Sequence, residues 1–280
     1  IDRDALESLA SEAVRSASRA IYEAAKGTSK EGMGCTFTLL LVVGHKAVMA
    51  HVGDTRLYLS RDNKISQLST DHTMANELAI AGVISQASIQ THQYAHVLTR
   101  ALGGMNEVAV DTLVMDILPG DRFLICSDGL GDYVESDEWL GRQLDATEFD
   151  ALPEELVSFA NTAGGQDNIT VLAVRVEADQ PELAITDEMS SHVQGQFHAL
   201  ESVFLFQELS MALLTRVLDS CEIYGYDTGD IPITESSPME QLMVVVEGQF
   251  DVIHQDTACG QLKAGDHVGA TTLLSPRRAR

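Results

Sequence analysis

An α+β fold in two units is predicted by three observations. The chain opens on one long amphipathic helix, continues through clustered strand-like runs mixed with helices, and ends in short strand-like runs punctuated by glycine. The 280 residues suffice for two domains, and 45% hydrophobic content supplies each with a core.

The elements follow in order. Leu6, Leu9, Ala10, Ala13, Val14, Ala17, Ala20, Ile21 and Ala24 recur at helical spacing over residues 3–25, with Gly27 as the stop. Thr36–Val43, Ala47–Val52 and Arg56–Leu59 read as strands, with turns at Gly44-His45 and Arg61-Asp62-Asn63. Asp71 or Thr73 caps a helix that runs through Ala81 and stops at Gly82. Val108–Ile117 and Arg122–Ser127 are strands joined by Pro119-Gly120-Asp121. Pro153-Glu154-Glu155 opens a helix ending near Gly164, and Ile169–Val174 is a further strand. Residues 177–196 are polar and read as a partly helical linker. A second unit over 197–280 begins with helical periodicity across Ala199–Leu218, and then Leu242–Val246 and Phe250–Ile253 alternate with glycines as in a small β-barrel or jelly roll.

Composition excludes some functions. With 42 acidic against 18 basic residues and a net charge of -24, a nucleic-acid or anionic-membrane partner is not expected. Cys35, Cys126, Cys221 and Cys259 are scattered without a CxxC pair, which suits a reducing cytoplasm and no zinc site. No apolar run reaches membrane-spanning length, and the start lacks a signal-peptide pattern.

The chemistry concentrates in two places. Cys126-Ser127-Asp128-Gly129-Leu130 follows the apolar run Phe123-Leu124-Ile125, and Gly164-Gly165-Gln166-Asp167-Asn168 precedes the strand at Ile169. A carboxylate at a glycine-softened strand end is commonly a turn residue. Two of them suit a hard divalent cation such as Mg²⁺ or Mn²⁺, which takes oxygen ligands and keeps several waters.

Five stretches in order carry a family resemblance: Gly32-Met33-Gly34-Cys35-Thr36, His51-Val52-Gly53-Asp54-Thr55-Arg56-Leu57-Tyr58, Leu98-Thr99-Arg100-Ala101-Leu102-Gly103, Ser127-Asp128-Gly129-Leu130 and Gln166-Asp167-Asn168-Ile169-Thr170. Residues 1–176 resemble the bacterial branch of the metal-dependent protein phosphatases of the 2C type. The resemblance implies a β-sandwich flanked by helices (αββα), hydrolysis of phosphoserine and phosphothreonine in proteins, and two or three Mn²⁺ or Mg²⁺ ions that generate hydroxide and neutralise phosphoryl charge. By the resemblance, Asp128 and Asp167 hold one catalytic ion, directly or through water, and Asp54 and Asp132, with Asp128, match positions holding a further ion. For Asp54 the competing reading is a hairpin-turn aspartate. His51, His72, Arg56 and Arg100 read as structural, and no catalytic acid or base is assigned. The family pattern places two strands before the first helix, carrying a phosphate-binding arginine and an Asp-Gly-x-Gly-Gly-His stretch. None is present here, so half of the first coordination shell is missing from these residues. The opening at Ile1 favours a chain cut short over a degenerate member, and the fragment is expected to be inactive.

Residues 197–280 resemble a cyclic nucleotide-binding domain through Leu205-Phe206-Gln207-Glu208-Leu209-Ser210, Val244-Val245-Val246-Glu247-Gly248-Gln249-Phe250, Leu262–Gly269 and Pro276-Arg277-Arg278-Ala279. The resemblance stops mid-pattern at Arg280. It implies a nucleotide site at Gly269 with Arg277 or Arg278 on the cyclic phosphate, but Ala270 stands where the family has the ribose-binding glutamate. The leading expectation is a cytoplasmic serine/threonine phosphatase governed by a C-terminal sensor that takes a small-molecule ligand. The rivals are a non-catalytic phosphoprotein-binding protein and a cyclic-nucleotide receptor with a vestigial phosphatase.

Overall fold

A computed structural model describes residues 2–134, 136–144, 148–177, 185–234 and 241–270. The chain divides into one unit over Ile1–Ile185 and another over Thr186–Arg280.

The first unit opens with α1 (Arg3–Ala25), the helix expected from the periodicity. Its N-cap is Asp2, whose carboxylate accepts from the backbone N–H groups of Asp4 and Ala5. Strands β1 (Phe37–Val43), β2 (Lys46–Val52), β3 (Arg56–Arg61) and β4 (Lys64–Gln67) follow as antiparallel hairpins. The β3–β4 turn places Asp62 and Asn63 at φ 51° and 59°, the left-handed pair that a two-residue hairpin demands. Helix α2 (Met74–Ile80) comes next, then β5 (Asp111–Asp116), β6 (Arg122–Cys126), the single turn α3 (Asp128–Gly131), α4 (Asp137–Leu144), α5 (Leu152–Ala163) and β7 (Val171–Arg175).

Two antiparallel sheets result, in the orders β1-β2-β5 and β4-β3-β6-β7. Side chains alternate across each sheet, so every central strand serves two faces. Val48, Ala50 and Val52 on β2 join Val114 on β5 and the α1 residues Leu6, Ala10 and Val14 in one cluster. On the other sheet Tyr58, Leu124 and Cys126 join Leu140 and Leu144 of α4 and Leu152, Leu156 and Ala160 of α5. Alternation gives Met49, His51 and Leu113 of the first sheet and Leu57, Leu59 and Phe123 of the second the opposite faces, and all six are buried. This is the expected layering of helices outside two sheets. Burying every residue of β2 explains why that strand reads as a continuous apolar run rather than an alternating one.

Several expectations need correction. Thr73, not Asp71, caps α2, accepting from the Asn76 N–H at 3.3 Å. Strand β5 is shorter than Val108–Ile117, and α4 was not foreseen because eight residues give too few repeats to read. In the second unit, the periodic stretch 199–218 is two helices, α6 (Asp187–Ser202) and α7 (Met211–Asp219). Thr186 and Ser210 cap them, and α6 takes up residues 187–196 of the polar segment before Phe197. Beyond them lie β8 (Met243–Val244), β9 (Gln249–His254), β10 (Thr257–Lys263) and β11 (His267–Val268). Among the described residues these make two separate two-stranded ribbons, β9 with β10 and β8 with β11. A cyclic-nucleotide-type jelly roll is therefore not reproduced by the described part of this unit.

Candidate functional site

The site-forming turns lie at the ends of β2, β3, β6 and β7. Strand β3 pairs Arg56 with Cys126 of β6, and Cys126 pairs with Val171 of β7. The residues just beyond these pairs therefore leave the sheet at the same end. Asp54 sits in the β2–β3 turn behind Gly53, whose φ of 115° excludes other residues and whose Cβ would lie 2.4 Å from Thr36 Cβ. Asp128 begins the α3 turn directly after β6, where its carboxylate accepts from the Gly129 N–H at 2.9 Å. Ser127 staples the β6 and β7 ends: its hydroxyl donates to Asn168 O and accepts from Thr170 N–H, each at 3.1 Å. A Cβ at Gly129 would lie 2.5 Å from Asn168 O, so only glycine lets the Asp167-Asn168 turn come this close to Asp128.

Asp54, Asp128 and Asp132 line one cavity of ≈ 20 Å³, together with Asp71 and His96. That is room for one ion or water. Asp167 does not line it, but its charge reaches Asp132. Burial first, and then the neighbouring Asp128 carboxylate, push the Asp54 carboxyl above its ordinary range. Burial also raises Asp132; His96 pulls it back, and Asp128 and Asp167 push it up again, with a net upward shift. The nearest guanidinium, Arg56, is committed elsewhere. Its Nη2 and Nε donate to Asp71 Oδ2 at 2.8 and 2.9 Å, and its Nη1 reaches Gly131 O at 3.3 Å. Facing carboxylates, with His96 beside them and Arg56 already paired to Asp71, suit a hard divalent ion. Among the described residues, however, no group of three or more His, Cys, Asp or Glu side chains is placed to hold a metal ion. The donor set fits an ion whose coordination is completed largely by water.

The histidines belong to a different network. His51 is fully buried, its Nδ1 2.8 Å from Thr38 Oγ1 and its Nε2 3.1 Å from Thr70 O. His72 Nδ1 accepts from the Gly53 N–H at 3.0 Å, and its Nε2 lies 3.1 Å from Asp111 Oδ2. Arg100 closes the set on Asp111 Oδ1 at 2.7 Å. Asp71 and His96 were missed as cavity residues: Asp71 read as a helix cap, and His96 lies in a loop that carries no pattern. In the second unit Gly269 has a φ of 84°, while Arg277 and Arg278 lie outside the described residues.

Sheet-end carboxylates on a helix-flanked sandwich are the arrangement that the resemblance to metal-dependent phosphatases implies. Residues 2–169 match the family model "Protein phosphatase 2C". The chain belongs to the protein phosphatase 2C family. It is 32% identical over 171 residues to a putative protein phosphatase 2C-type of Streptococcus pyogenes, covering 61% of this chain and 70% of that protein. It is 32% identical over 162 residues to protein phosphatase PhpP of Streptococcus pneumoniae, covering 58% of this chain and 66% of that protein. The chain thus spans about two thirds of the length of these relatives. Among solved structures, it resembles the catalytic domain of the serine/threonine protein phosphatase PstP in complex with two manganese ions, with a TM-score of 0.55 and 34% identity over 61% of this chain and 72% of that one. The matched region is a phosphatase domain of the bacterial Ser/Thr type. Among the described residues no helix is long and apolar enough to cross a membrane.

Proposed function

We propose that this chain is a metal-dependent protein serine/threonine phosphatase. Asp128 and Asp167 hold one Mn²⁺ or Mg²⁺ ion, directly or through water, and Asp54 and Asp132 join Asp128 around a further one. The observation that carries this reading is the small cavity that Asp54, Asp128 and Asp132 line together, where the charge of Asp128 helps to raise the other two carboxyls. When bound, such ions supply a hydroxide nucleophile at neutral pH and neutralise the phosphoryl oxygens. The chain's own contribution is placement: Gly129 lets the β6–β7 connection close on Asp128, Ser127 staples it, and Asp71 pairs with Arg56 in the cavity wall. The substrate is a phosphorylated protein.

The second unit is proposed as a sensor of the cyclic-nucleotide type that regulates the first. The left-handed Gly269 in a resembling stretch supports this reading, and Ala270 argues for weak nucleotide binding. A second reading, a non-catalytic phosphoprotein-binding protein, is favoured by the lack of a metal-holding cluster among the described residues.

Calorimetric titration with Mn²⁺, paired with turnover of a phosphothreonine peptide by a chain that also carries the family's Asp-Gly-x-Gly-Gly-His stretch, separates the two. The phosphatase reading expects Mn²⁺ binding that Asp128→Asn weakens at least tenfold and turnover that disappears with it. Mn²⁺ binding unchanged in Asp128→Asn, or phosphopeptide bound but never hydrolysed at saturating Mn²⁺, overturns it.

A further inference from the structure

Beside the carboxylate cavity lies a wide cleft of ≈ 680 Å³, and the two share Arg56, Asp71, Ile89 and Gln90 in their walls. The Arg56–Asp71 ion pair forms the step between them. A volume of this size is that of a ligand site, but the lining here is polar, which does not suit a compact apolar molecule. The polar groups fall into two sets. Gln67 and Asn76 are tied down, each donating its side-chain amide to Asp71 at 2.8 Å. Gln86, Gln90 and the Thr70 hydroxyl also line the cleft, and among the described residues their side chains have no protein partner. A free side-chain amide offers a donor and an acceptor together, which is what a peptide backbone unit requires. One charge remains. Asp137, at the first turn of α4, lines the cleft and makes no ion pair among the described residues. Arg56, the one basic residue of the lining, already serves Asp71.

We infer that this cleft is the docking groove for the peptide segment flanking the phosphoresidue, and that Asp137 selects a basic side chain in that segment. The inference rests on the phosphatase reading, which places the phosphate at ions held by the carboxylates of the adjoining cavity. Gln90, common to both cavities, stands where the segment passes from one to the other. Asp137 is a specificity-determining residue. It touches neither phosphate nor ion, and its competing role is to favour the N-terminus of α4 through the helix dipole, whose loss in Asp137→Asn lowers stability without changing which flank is preferred.

The test uses the whole chain in Mn²⁺ buffer and fluorescence anisotropy with labelled phosphothreonine peptides. The peptides differ only in carrying Lys, Ala or Glu at each flanking position in turn, and unphosphorylated versions serve as reference. A partly exposed charge pair predicts that Lys at one register binds about threefold more tightly than Ala, and Glu more weakly. Asp137→Asn removes that difference while keeping the affinity of the Ala peptide. Asp137→Lys reverses the order of Lys and Glu. Glu12→Gln, an equal charge change on the exposed face of α1, leaves the preference intact. A Lys preference that survives Asp137→Asn, or no dependence on any flank while phosphate still matters, overturns the groove and spares the phosphatase reading. Equal binding of phosphorylated and unphosphorylated peptides overturns that reading itself, and with it this inference.

Discussion

Two polar clusters meet at the Gly53 turn, and they differ in one respect. In the first, His51, His72, Asp111 and Arg100 form a closed chain in which each ring nitrogen and each charge has a partner between 2.7 and 3.1 Å. In the second, Asp54, Asp128 and Asp132 face a common cavity, and Arg56 in its wall is paired with Asp71. Buried polar groups that satisfy one another hold a fold together; like charges left facing one another wait for a cation. Both clusters use Asp and His, so residue type does not distinguish scaffold from site. Completeness of partnering does.

The sharpest way to break this contrast is to neutralise Asp128. If the second cluster is an ion site, then in a chain that also carries the family's Asp-Gly-x-Gly-Gly-His stretch Asp128→Asn lowers Mn²⁺-dependent turnover of p-nitrophenyl phosphate on the order of a thousandfold, ~4 kcal/mol of transition-state stabilisation. Urea unfolding without metal changes little, because the substitution keeps volume and relieves repulsion. A variant with intact turnover moves the ion elsewhere; one that fails to fold makes Asp128 part of the scaffold.

The sequence carried the first of these effects better than its setting. Glycines beside Asp128 and Asp167 were legible because close backbone approach leaves a compositional mark, and α1 was legible because twenty-three residues repeat one period many times. Asp71 was not, because its role depends on Arg56 fifteen residues away, across a sheet rather than along the chain. His96 left no mark for the same reason. Phe250–Ile253 of β9 read as a barrel strand from the glycine turns around it, yet five of the six residues of β9 are exposed, which pattern alone does not reveal.

Gly129 tests the close approach itself. Gly129→Ala puts a methyl group 2.5 Å from Asn168 O, a backbone atom that has to shift. Overpacking of this kind costs about 1–3 kcal/mol in unfolding free energy. Displacing the β6–β7 connection also carries Asp167 away and weakens Mn²⁺ binding, read by calorimetry. Full stability with lost Mn²⁺ affinity makes the contact purely functional; the converse detaches Asp167 from the ion.

The closed cluster predicts its own pH dependence. His51 is lowered to about 4, by burial first and then by neighbouring His72, against Thr70 O, Asp71 and Asp111. Its folded pKa lies below the unfolded value near 6.5, so the unfolded state binds more protons between those limits. The contribution is complete above about pH 6.5, falls as pH drops, and is gone below pH 4. Urea titrations at pH 7 and pH 5 should differ by about 2 kcal/mol from this residue. His51→Gln lowers the baseline but flattens that slope. Asp111, held well below the usual carboxylate range by the His72 hydrogen bond, acts only under about pH 4, so the two windows separate. An unchanged slope in His51→Gln assigns the drop to another histidine.

The smallest effect is the most discriminating, because its sign reverses between the clusters. Removing a charge from a satisfied network destabilises; removing one from a set of facing carboxylates stabilises. Asp132 is exposed, so screening limits the gain from Asp132→Asn to a few tenths of a kcal/mol in metal-free buffer at pH 7, and less at high salt. In saturating Mn²⁺ the natural chain gains binding energy that the variant partly forfeits, and the order of the two melting temperatures inverts. Asp54 gives the same inversion with a larger amplitude, since it is half-buried and lies beside Asp128. If Asp132→Asn melts lower than the natural chain even without metal, its carboxylate has a structural partner and the open cluster is not open at that position.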